Sequence, residues 1–209
     1  MIDSPKRLET PHGDATISPS RKDVLNDNLC GDAPASDSRN LIDLYKGMVE
    51  EDIRRALDLK RCEAVCLCLN HTNDFNKAQI IRAANAFLFK AVYLIGKQKY
   101  DRRGAVGTYH YEHVLHAFDE SIILDLIGEG YTIFAVENVE QYEPQSLTQV
   151  ALPAKSGFLF GEEMAGIAPE LFKLCNGGAI KIDQLGSVRS LNVAQAASIC
   201  MYEYRRQHP

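Results

Sequence analysis

Three short polar clusters, far apart along the chain, carry residue types that could bind a ligand. The first contains Asn76 and, six residues later, Arg82. An amide and a guanidinium held near a helix start could grip a phosphate or a ribose hydroxyl. A helix-capping Asn followed by a solvated Arg would give the same pattern. This cluster by itself leaves both interpretations open.

The second cluster follows an apolar run and contains Gly161 and Glu163. A glycine at the end of a strand lets a ligand approach the backbone closely. A carboxylate at that position could accept hydrogen bonds from neighbouring polar groups. An acid that complements the dipole at a helix start is the alternative interpretation of Glu163.

The third cluster lies in residues 186–197, where a polar loop leads into a run of small apolar residues. Ser190 and Asn192 are residue types that cap helices by accepting hydrogen bonds from free backbone N–H groups. A polar loop at a helix N-terminus is also a natural place to hold a ligand. Taken alone, such a stretch is more often just a capped helix.

A basic segment, residues 97–103, has the charge needed to contact nucleic acid. Its cations are Lys97, Lys99, Arg102 and Arg103. Tyr100, Tyr109 and Tyr111 lie in or near this segment and could stack on bases. A solvated loop remains the alternative interpretation.

Alternating strand and helix patterns must position these clusters. Apolar runs predict five strands, at 64–70, 91–96, 131–137, 157–161 and 179–183. Helical patterns cover 76–87, 110–127, 168–175 and 192–207. Short continuous apolar strands separated by helices predict an α/β fold, a parallel sheet covered by helices on both faces. Ligands of such sheets bind beyond the carboxyl ends of the strands, which is where the polar clusters fall.

Composition divides the 209 residues into three parts. Residues 1–40 contain no Phe or Tyr and are expected to be polar and mobile. Residues 41–60 have helical spacing and predict an amphipathic helix. Residues 61–209 are expected to form the main domain, with both the glycine fingerprint of dinucleotide-binding folds and the phosphate-binding Gly-Lys-Ser/Thr loop missing.

Charge and cysteine usage favour a cytoplasmic protein with no bound metal. The net charge of −5 argues against broad electrostatic capture of nucleic acid, although it allows a local basic patch. No apolar stretch is long enough to span a membrane, and the first residues do not have the apolar core of a secretory signal. The six cysteines lack metal-ligand spacing, so we expect reduced core residues.

The three polar clusters, in this order, resemble the motifs of the SpoU/TrmH family of RNA ribose 2′-O-methyltransferases, in the SPOUT superfamily. The matching residues are Asn76 and Arg82, then Gly161 and Glu163, then Ser190, Leu191 and Asn192. The resemblance covers residues 60–207. Three positions depart from the family pattern, and they put the fit of the target nucleotide in doubt. They are Ala78, Ala83 and Glu162.

The resemblance implies a C-terminal trefoil knot, a homodimer and an S-adenosyl-L-methionine site. In this sequence the cofactor-binding positions are Val136, Gly161, Ile182 and Leu191. Arg82 would act at the ribose, either as the base or as a clamp on phosphate and alkoxide. The other catalytic positions are Asn76, Glu163, Ser190 and Asn192.

The resemblance also implies an RNA substrate, tRNA or rRNA, and tRNA is favoured because residues 1–40 do not suggest a folded RNA-binding domain. An apolar stripe on the last helix fits either a dimer contact or core packing. It consists of Val193, Ala196, Ala197, Cys200 and Met201. A noncatalytic RNA-binding protein with the same fold, or a plain nucleotide-binding α/β scaffold, are the competing interpretations.

Overall fold

The chain alternates strands and helices from residue 50 to its C-terminus. The computed structural model describes residues 37–69, 74–96, 99–162 and 165–209. The strands are β1 (Val65–Cys68), β2 (Ala91–Ile95), β3 (Val114–Ala117), β4 (Thr132–Val136), β5 (Gln145–Ser146), β6 (Ser156–Phe160) and β7 (Ala179–Lys181). The helices are α1 (Glu50–Asp58), α2 (Asp74–Ala86), α3 (Ser121–Gly128), α4 (Pro169–Phe172) and α5 (Val193–Gln207).

All seven strands run parallel in one sheet, in the order β3-β2-β1-β6-β4-β7-β5. Strand β6 pairs with both β1 and β4, so two segments distant in sequence become neighbours at the centre of the sheet. The carboxyl ends of β6, β4 and β7 are adjacent as a result. Polar residues that follow these three strands are thereby brought to one edge.

Helices cover both faces of the sheet, as the sequence predicts. Alternate side chains of β1 point to opposite faces, because successive residues of a strand do so. Cys66 and Cys68 lie in the core that contains α2 and α5. Val65 and Leu67 lie in the core that contains α3 and the segment around α4.

The expected reduced core cysteines are mostly in these cores. Cys66, Cys68, Cys175 and Cys200 are buried, and Cys30 lies outside the described residues. Burial raises the pKa of the Cys68 thiol to about 12, so it stays protonated at neutral pH. Among the described residues no group of His, Cys, Asp and Glu has the arrangement of a metal site.

The stretch 110–127, predicted to be mainly helical, is helical only in its second half. It is divided into a 3-10 turn at Thr108–His110, the edge strand β3 and the helix α3. The break has a local cause, because the Asp119 side chain accepts a hydrogen bond from the backbone N–H of Ser121 (3.0 Å) and so marks a new helix start. Strand β5, at the opposite edge, has only two residues and leaves no periodic pattern to read.

The predicted helix over 41–60 is shorter in the structure. A 3-10 turn at Asp43–Tyr45 precedes α1, and Gly47 between them has a φ of 79° that a continuous helix does not allow. Helix α1 packs through Ile53 and Leu57. The predicted mobility of residues 1–40 concerns a segment that lies mostly outside the described residues.

Arg61, just before β1, fastens this part of the chain to the sheet. Its guanidinium donates to the Glu112 carboxylate (2.7 Å), to Asp58 (2.8 Å) and to the backbone carbonyls of Phe89 and Tyr111 (2.7 Å each). The Glu112 side chain is fully buried. This buried ion pair lies at the amino ends of β1, β2 and β3, away from the edge that carries the polar clusters.

None of the described helices is long and apolar enough to cross a bilayer.

Candidate active site

A cavity of about 720 Å³ opens at the carboxyl ends of β6, β4 and β7. Three loops form its walls: the segment after β4, the segment after β6 and the loop between β7 and α5. All four predicted cofactor positions line it, namely Val136, Gly161, Ile182 and Leu191. Ser190 and Asn192 line it as well. The structure thus brings together residues that are up to 56 positions apart in the chain.

Hydrogen bonds join the three walls. The Asn138 side chain donates from Nδ2 to the backbone carbonyl of Arg189 (2.9 Å), which connects the segment after β4 to the loop before α5. The Tyr142 hydroxyl donates to the carbonyl of Ile167 (2.9 Å), which connects the same segment to the loop after β6. The Tyr142 ring also stacks on Phe172, with ring centroids 4.1 Å apart.

Gly161 is needed because the loop's own backbone packs against it. The sequence alone predicts for this glycine only a role in the close approach of a ligand. A Cβ on Gly161 would lie 2.4 Å from the backbone carbon of Gly166, so no larger residue fits there. Glu162 and Gly166 exchange backbone hydrogen bonds of 3.1 and 2.9 Å and close the turn. The glycine therefore makes room for the protein's own backbone, and this tight turn forms one wall of the cavity. Glu163, predicted here as a catalytic residue, lies outside the described residues.

The first and third motifs meet through their asparagines. Asn192 caps α5, because its Oδ1 accepts from the backbone N–H of Ala194 (2.9 Å). Its Nδ2 donates to Oδ1 of the buried Asn76 (3.0 Å), near the start of α2. The two helix starts are thereby tied together, and both the capping and the functional interpretation of Asn192 apply.

Arg82 lies on a different face of α2 from Asn76. Six residues along a helix correspond to about 600°, so the two side chains diverge. Arg82 is exposed and lines a second pocket of about 520 Å³, between α2, the turn that contains Arg103 and Ser198 of α5. The residues lining the 720 Å³ cavity do not include it. Within one chain, Arg82 and the predicted cofactor-binding positions therefore line different pockets.

Of the two departures in α2, packing explains Ala78. Ala78 is fully buried, and a Cβ on Gly104 would come within 2.9 Å of its methyl group, so Gly104 makes room for Ala78. Ala83 lines the second pocket beside Arg82. Both positions lie outside the 720 Å³ cavity. Glu162, the third departure, lines that cavity.

The basic segment presents part of its charge to solvent. Lys99 and Arg102 are exposed, and the Arg102 guanidinium lies 5.0 Å from the ring centroid of Tyr109. Arg103 is exposed but forms a bidentate ion pair with Asp101, from Nε to Oδ1 (3.0 Å) and from Nη2 to Oδ2 (2.6 Å). Lys97 lies outside the described residues. Among the described members, Lys99 and Arg102 are the cations not engaged by this acid.

The dimensions and lining of the cavity are those of a small-molecule site, the kind of site that the predicted cofactor requires. Its volume lies within the range of about 300–1,000 Å³ typical of small-molecule sites. The tight turn at Gly161 and the loop before α5 offer backbone groups, and Ile182, Leu191 and Tyr142 offer apolar surface. This mixture of apolar walls and a few polar groups is typical of small-molecule sites.

Comparison with known proteins identifies the family of this chain. The SpoU rRNA Methylase family matches residues 64–202, about two thirds of the sequence. The chain belongs to this family.

The relatives and neighbours of this SpoU family member carry related names. A mouse tRNA (guanosine(18)-2'-O)-methyltransferase is 38% identical over 80 residues, which are 38% of this chain and 5% of that protein. The enzyme of the same name from Thermus thermophilus is 37% identical over 78 residues, which are 37% of this chain and 39% of that protein. The chain thus spans well under half the length of both relatives.

The solved structure of the Aquifex aeolicus TrmH/SpoU tRNA-modifying enzyme has the same fold. The TM-score is 0.68 at 22% identity, over 76% of this chain and 82% of that one. The SpoU methyltransferase AviRb from Streptomyces viridochromogenes, in complex with its cofactor AdoMet, gives a TM-score of 0.63 at 22% identity, over 71% and 59% of the two chains. The predicted α/β fold and the family are confirmed.

The segment after β4 contains site residues that the sequence motifs do not include. Here the sequence prediction named only Val136, the last residue of β4. Glu137, Asn138 and Tyr142 line the cavity and hold its other walls, yet no motif includes them. The available signal was a carboxylate and an amide directly after a buried strand. Such residues become significant only when β4 is known to lie between β6 and β7.

Proposed function

We propose that the protein is an S-adenosyl-L-methionine-dependent RNA methyltransferase that acts on a ribose 2′-hydroxyl. The observation that carries this proposal is the cavity at the carboxyl ends of β6, β4 and β7, lined by Gly161, Ile182 and Leu191 in a chain of the SpoU family. The names of the mouse and Thermus relatives, both 2'-O-methyltransferases, support it.

The cofactor would be held by the cavity's apolar walls and by backbone groups of its loops. It would supply a methyl group on a sulfonium centre. Val136, Ile182 and Leu191 would exclude water from that group, and the turn closed by Glu162 and Gly166 would fix the shape of one wall. The AdoMet-bound AviRb structure shares this fold and so supports the choice of cofactor.

Arg82 would act on the substrate ribose. Free arginine has a pKa above about 12, so its guanidinium keeps its proton at neutral pH. A clamp on the phosphate and on the developing alkoxide is therefore a less demanding role than that of a base. Asn76 and Asn192 would position Arg82 and the loop before α5 through their mutual hydrogen bond. Ser190 would shape the same loop. Glu163 remains a predicted catalytic residue on the strength of its motif.

The substrate would be a structured RNA, with tRNA first. Lys99, Arg102 and the Tyr109 ring give a cationic and aromatic surface suited to phosphates and bases. The relatives named as tRNA methyltransferases support tRNA, and the family description supports rRNA as the second choice. Lys97 and Arg103 would add to the charge.

We also propose a homodimer, because in one chain Arg82 lies outside the cofactor cavity. Of the two interpretations of the apolar stripe on α5, core packing applies to Ala197, Cys200 and Met201, which are fully buried within the chain's own core. The opposite face of α5 exposes apolar side chains instead, with Ile199 at 39% and Tyr202 at 63%. That face, beside Arg82, is the proposed contact, and the trefoil knot remains an expectation from the family.

A two-step experiment tests the function. Calorimetry first measures binding of S-adenosyl-L-methionine to the purified protein. Radiolabelled cofactor is then incubated with unmodified total tRNA and, separately, with unmodified rRNA, and the labelled nucleotide is mapped. Labelled 2′-O-methylribose is the expected product. Cofactor binding without transfer to either RNA, or no cofactor binding but retained RNA binding, would favour the noncatalytic RNA-binding alternative.

A further inference from the structure

Glu137 is the first residue after β4, and its carboxylate faces two loops at once. Its Oε1 accepts from the backbone N–H of Asn138 (2.9 Å), and its Oε2 accepts from the backbone N–H of Ile167 (3.3 Å). The second bond crosses from the segment after β4 to the loop after β6. Glu137 also lines the 720 Å³ cavity.

The loop after β6 is shaped to receive this carboxylate. Gly166 has a φ of 68°, a conformation that side chains with a Cβ rarely adopt. A Cβ on Gly166 would lie 2.7 Å from Oε2 of Glu137. The carboxylate oxygen therefore lies against the glycine, and Gly161 packs on the other side of the same turn.

A carboxylate suits this position better than an amide. Each of its oxygens is an acceptor, so it can receive both N–H groups. The amide of a glutamine offers one acceptor oxygen and one NH₂ donor, and the NH₂ would face one of the two backbone N–H groups. Substitution by glutamine therefore keeps the volume but loses one charge-assisted hydrogen bond and weakens the other.

We propose that Glu137 is a positioning residue that holds Gly166 and Ile167 against the carboxyl end of β4 and so keeps the cofactor cavity formed before the ligand arrives. The proposal rests on the function proposed above, since it deepens the role of the same cavity. A ligand that binds only the formed cavity loses apparent affinity in proportion to the fraction of molecules in which the cavity is disrupted.

The first test compares Glu137→Gln with the matched control Glu140→Gln. Glu140 is exposed, lies three residues further along and does not line the cavity. Calorimetry measures the binding of S-adenosyl-L-methionine and of S-adenosyl-L-homocysteine, which has a neutral sulfur. We expect both ligands to bind about 10- to 100-fold more weakly to Glu137→Gln, the range for one lost charge-assisted hydrogen bond, and normally to Glu140→Gln.

The pair of ligands separates positioning from direct contact. Equal weakening of both ligands supports a positioning role, because the shape of the cavity matters to each. Weakening of the sulfonium ligand alone would overturn the proposal in favour of a direct charge contact. Equal affinity of the two glutamine variants for either ligand would overturn it as well.

The second test needs no ligand. Hydrogen exchange at the backbone amide of Ile167 reports directly on its bond to Glu137. We expect faster exchange in Glu137→Gln than in Glu140→Gln, and unchanged exchange would overturn the proposal. This result stands even if the wild-type protein binds neither ligand, in which case the proposed function fails and the role of Glu137 in the turn is judged separately.

Gly166→Ala provides an independent variant. The added methyl group would lie 2.7 Å from Oε2 of Glu137 and would displace the carboxylate, while residue 137 itself stays a glutamate. We expect the same parallel weakening of both ligands and the same faster exchange at Ile167. Normal binding of both ligands by Gly166→Ala would overturn the proposal.

Discussion

At the scale of single residues, the two members of the first motif have separate tasks. Asn76 is buried and bonded to Asn192, so it belongs to the framework that joins α2 to α5. Arg82 is exposed in its own pocket, so its charge is available to a ligand from outside the chain. The two residues form one motif by their spacing along the chain, but six residues of helix place their side chains on different faces of α2.

Replacement of Arg82 by alanine should abolish methylation and leave cofactor binding intact. In the proposed role the guanidinium would stabilise developing negative charge, and loss of such a group typically lowers kcat by about 100- to 1,000-fold. Single-turnover transfer to RNA and calorimetry with S-adenosyl-L-methionine measure the two effects. Arg55→Ala, at an exposed position on α1, is the control. Unchanged turnover in Arg82→Ala would remove Arg82 from the site.

At the scale of elements, the start of α5 connects stability to the site. Asn192 satisfies the backbone N–H of Ala194 and bonds Asn76, while the preceding residues Arg189 to Leu191 line the cavity. A change in the cap therefore acts on both the helix and the cavity wall. The buried face of α5, with Ala197, Cys200 and Met201, then fixes the helix on the sheet.

Asn192→Ala should destabilise the fold by about 1–2 kcal/mol, because it removes an N-cap and the bond to α2. Urea denaturation measures the free energy of unfolding. Gln195→Ala, at an exposed position of the same helix, should change it by less than about 0.5 kcal/mol. Equal effects of the two substitutions would mean that the cap contributes nothing measurable.

At the scale of the whole molecule, the proposed site is divided between two copies of the chain. The predicted cofactor positions and Arg82 line separate pockets in one chain, and α5 contributes to both, with Val193 and Ala196 in the first and Ser198 in the second. A complete site would then combine the cavity of one copy with Arg82 of the other. Dimerisation would be a condition for activity rather than only for stability.

A mixed dimer tests this arrangement. Arg82→Ala keeps the cavity, and Gly161→Val disrupts it, because Gly161 has no room for a side chain. Each homodimer should be inactive, whereas a mixed dimer purified through two different tags has one complete site and should show roughly half the wild-type rate. An inactive mixed dimer would indicate that each chain uses its own Arg82.

Acidity should affect the stability of the whole fold through Glu112. Burial raises the pKa of this carboxyl to about 7, from 4.5 for an unperturbed group, although Arg61 opposes the shift. Between these two values the folded state holds a proton that the unfolded state lacks. Stability should therefore fall as the pH rises from about 4.5 to 7, by up to about 3 kcal/mol from this group.

Urea denaturation at pH 5 and pH 7.5 measures this dependence. Glu112→Gln removes the group that titrates, so its dependence on pH in this range should be smaller than that of the wild type. Glu51→Gln, at an exposed position, should keep the wild-type dependence. A contribution of Glu112 that increases stability as the pH rises would contradict the prediction.

The sequence by itself determined the kind of sheet, most of its strands and the family. The apolar runs of β1, β2, β4, β6 and β7 are buried on both sides, so each leaves a continuous signal, and the three motifs are made of neighbouring residues. Strands β3 and β5 were missed, because edge strands bury less: Leu115 and His116 of β3 are exposed, and β5 has two residues. A run of apolar residues in the sequence marks a strand that is buried on both faces. The edge strands of the sheet are less buried and therefore leave a weaker pattern.

Only the tertiary structure decided how these parts meet. The pairing of β6 with β1 and β4 brings three loops around one cavity, and no local pattern encodes that order. The role of Glu137 depends on it, since the turn that it holds follows a different strand. The separation of Arg82 from the cavity likewise arises from packing of α2 and α5 in three dimensions. Residue types and spacing define which groups are present, whereas long-range strand pairing defines which of them share a site.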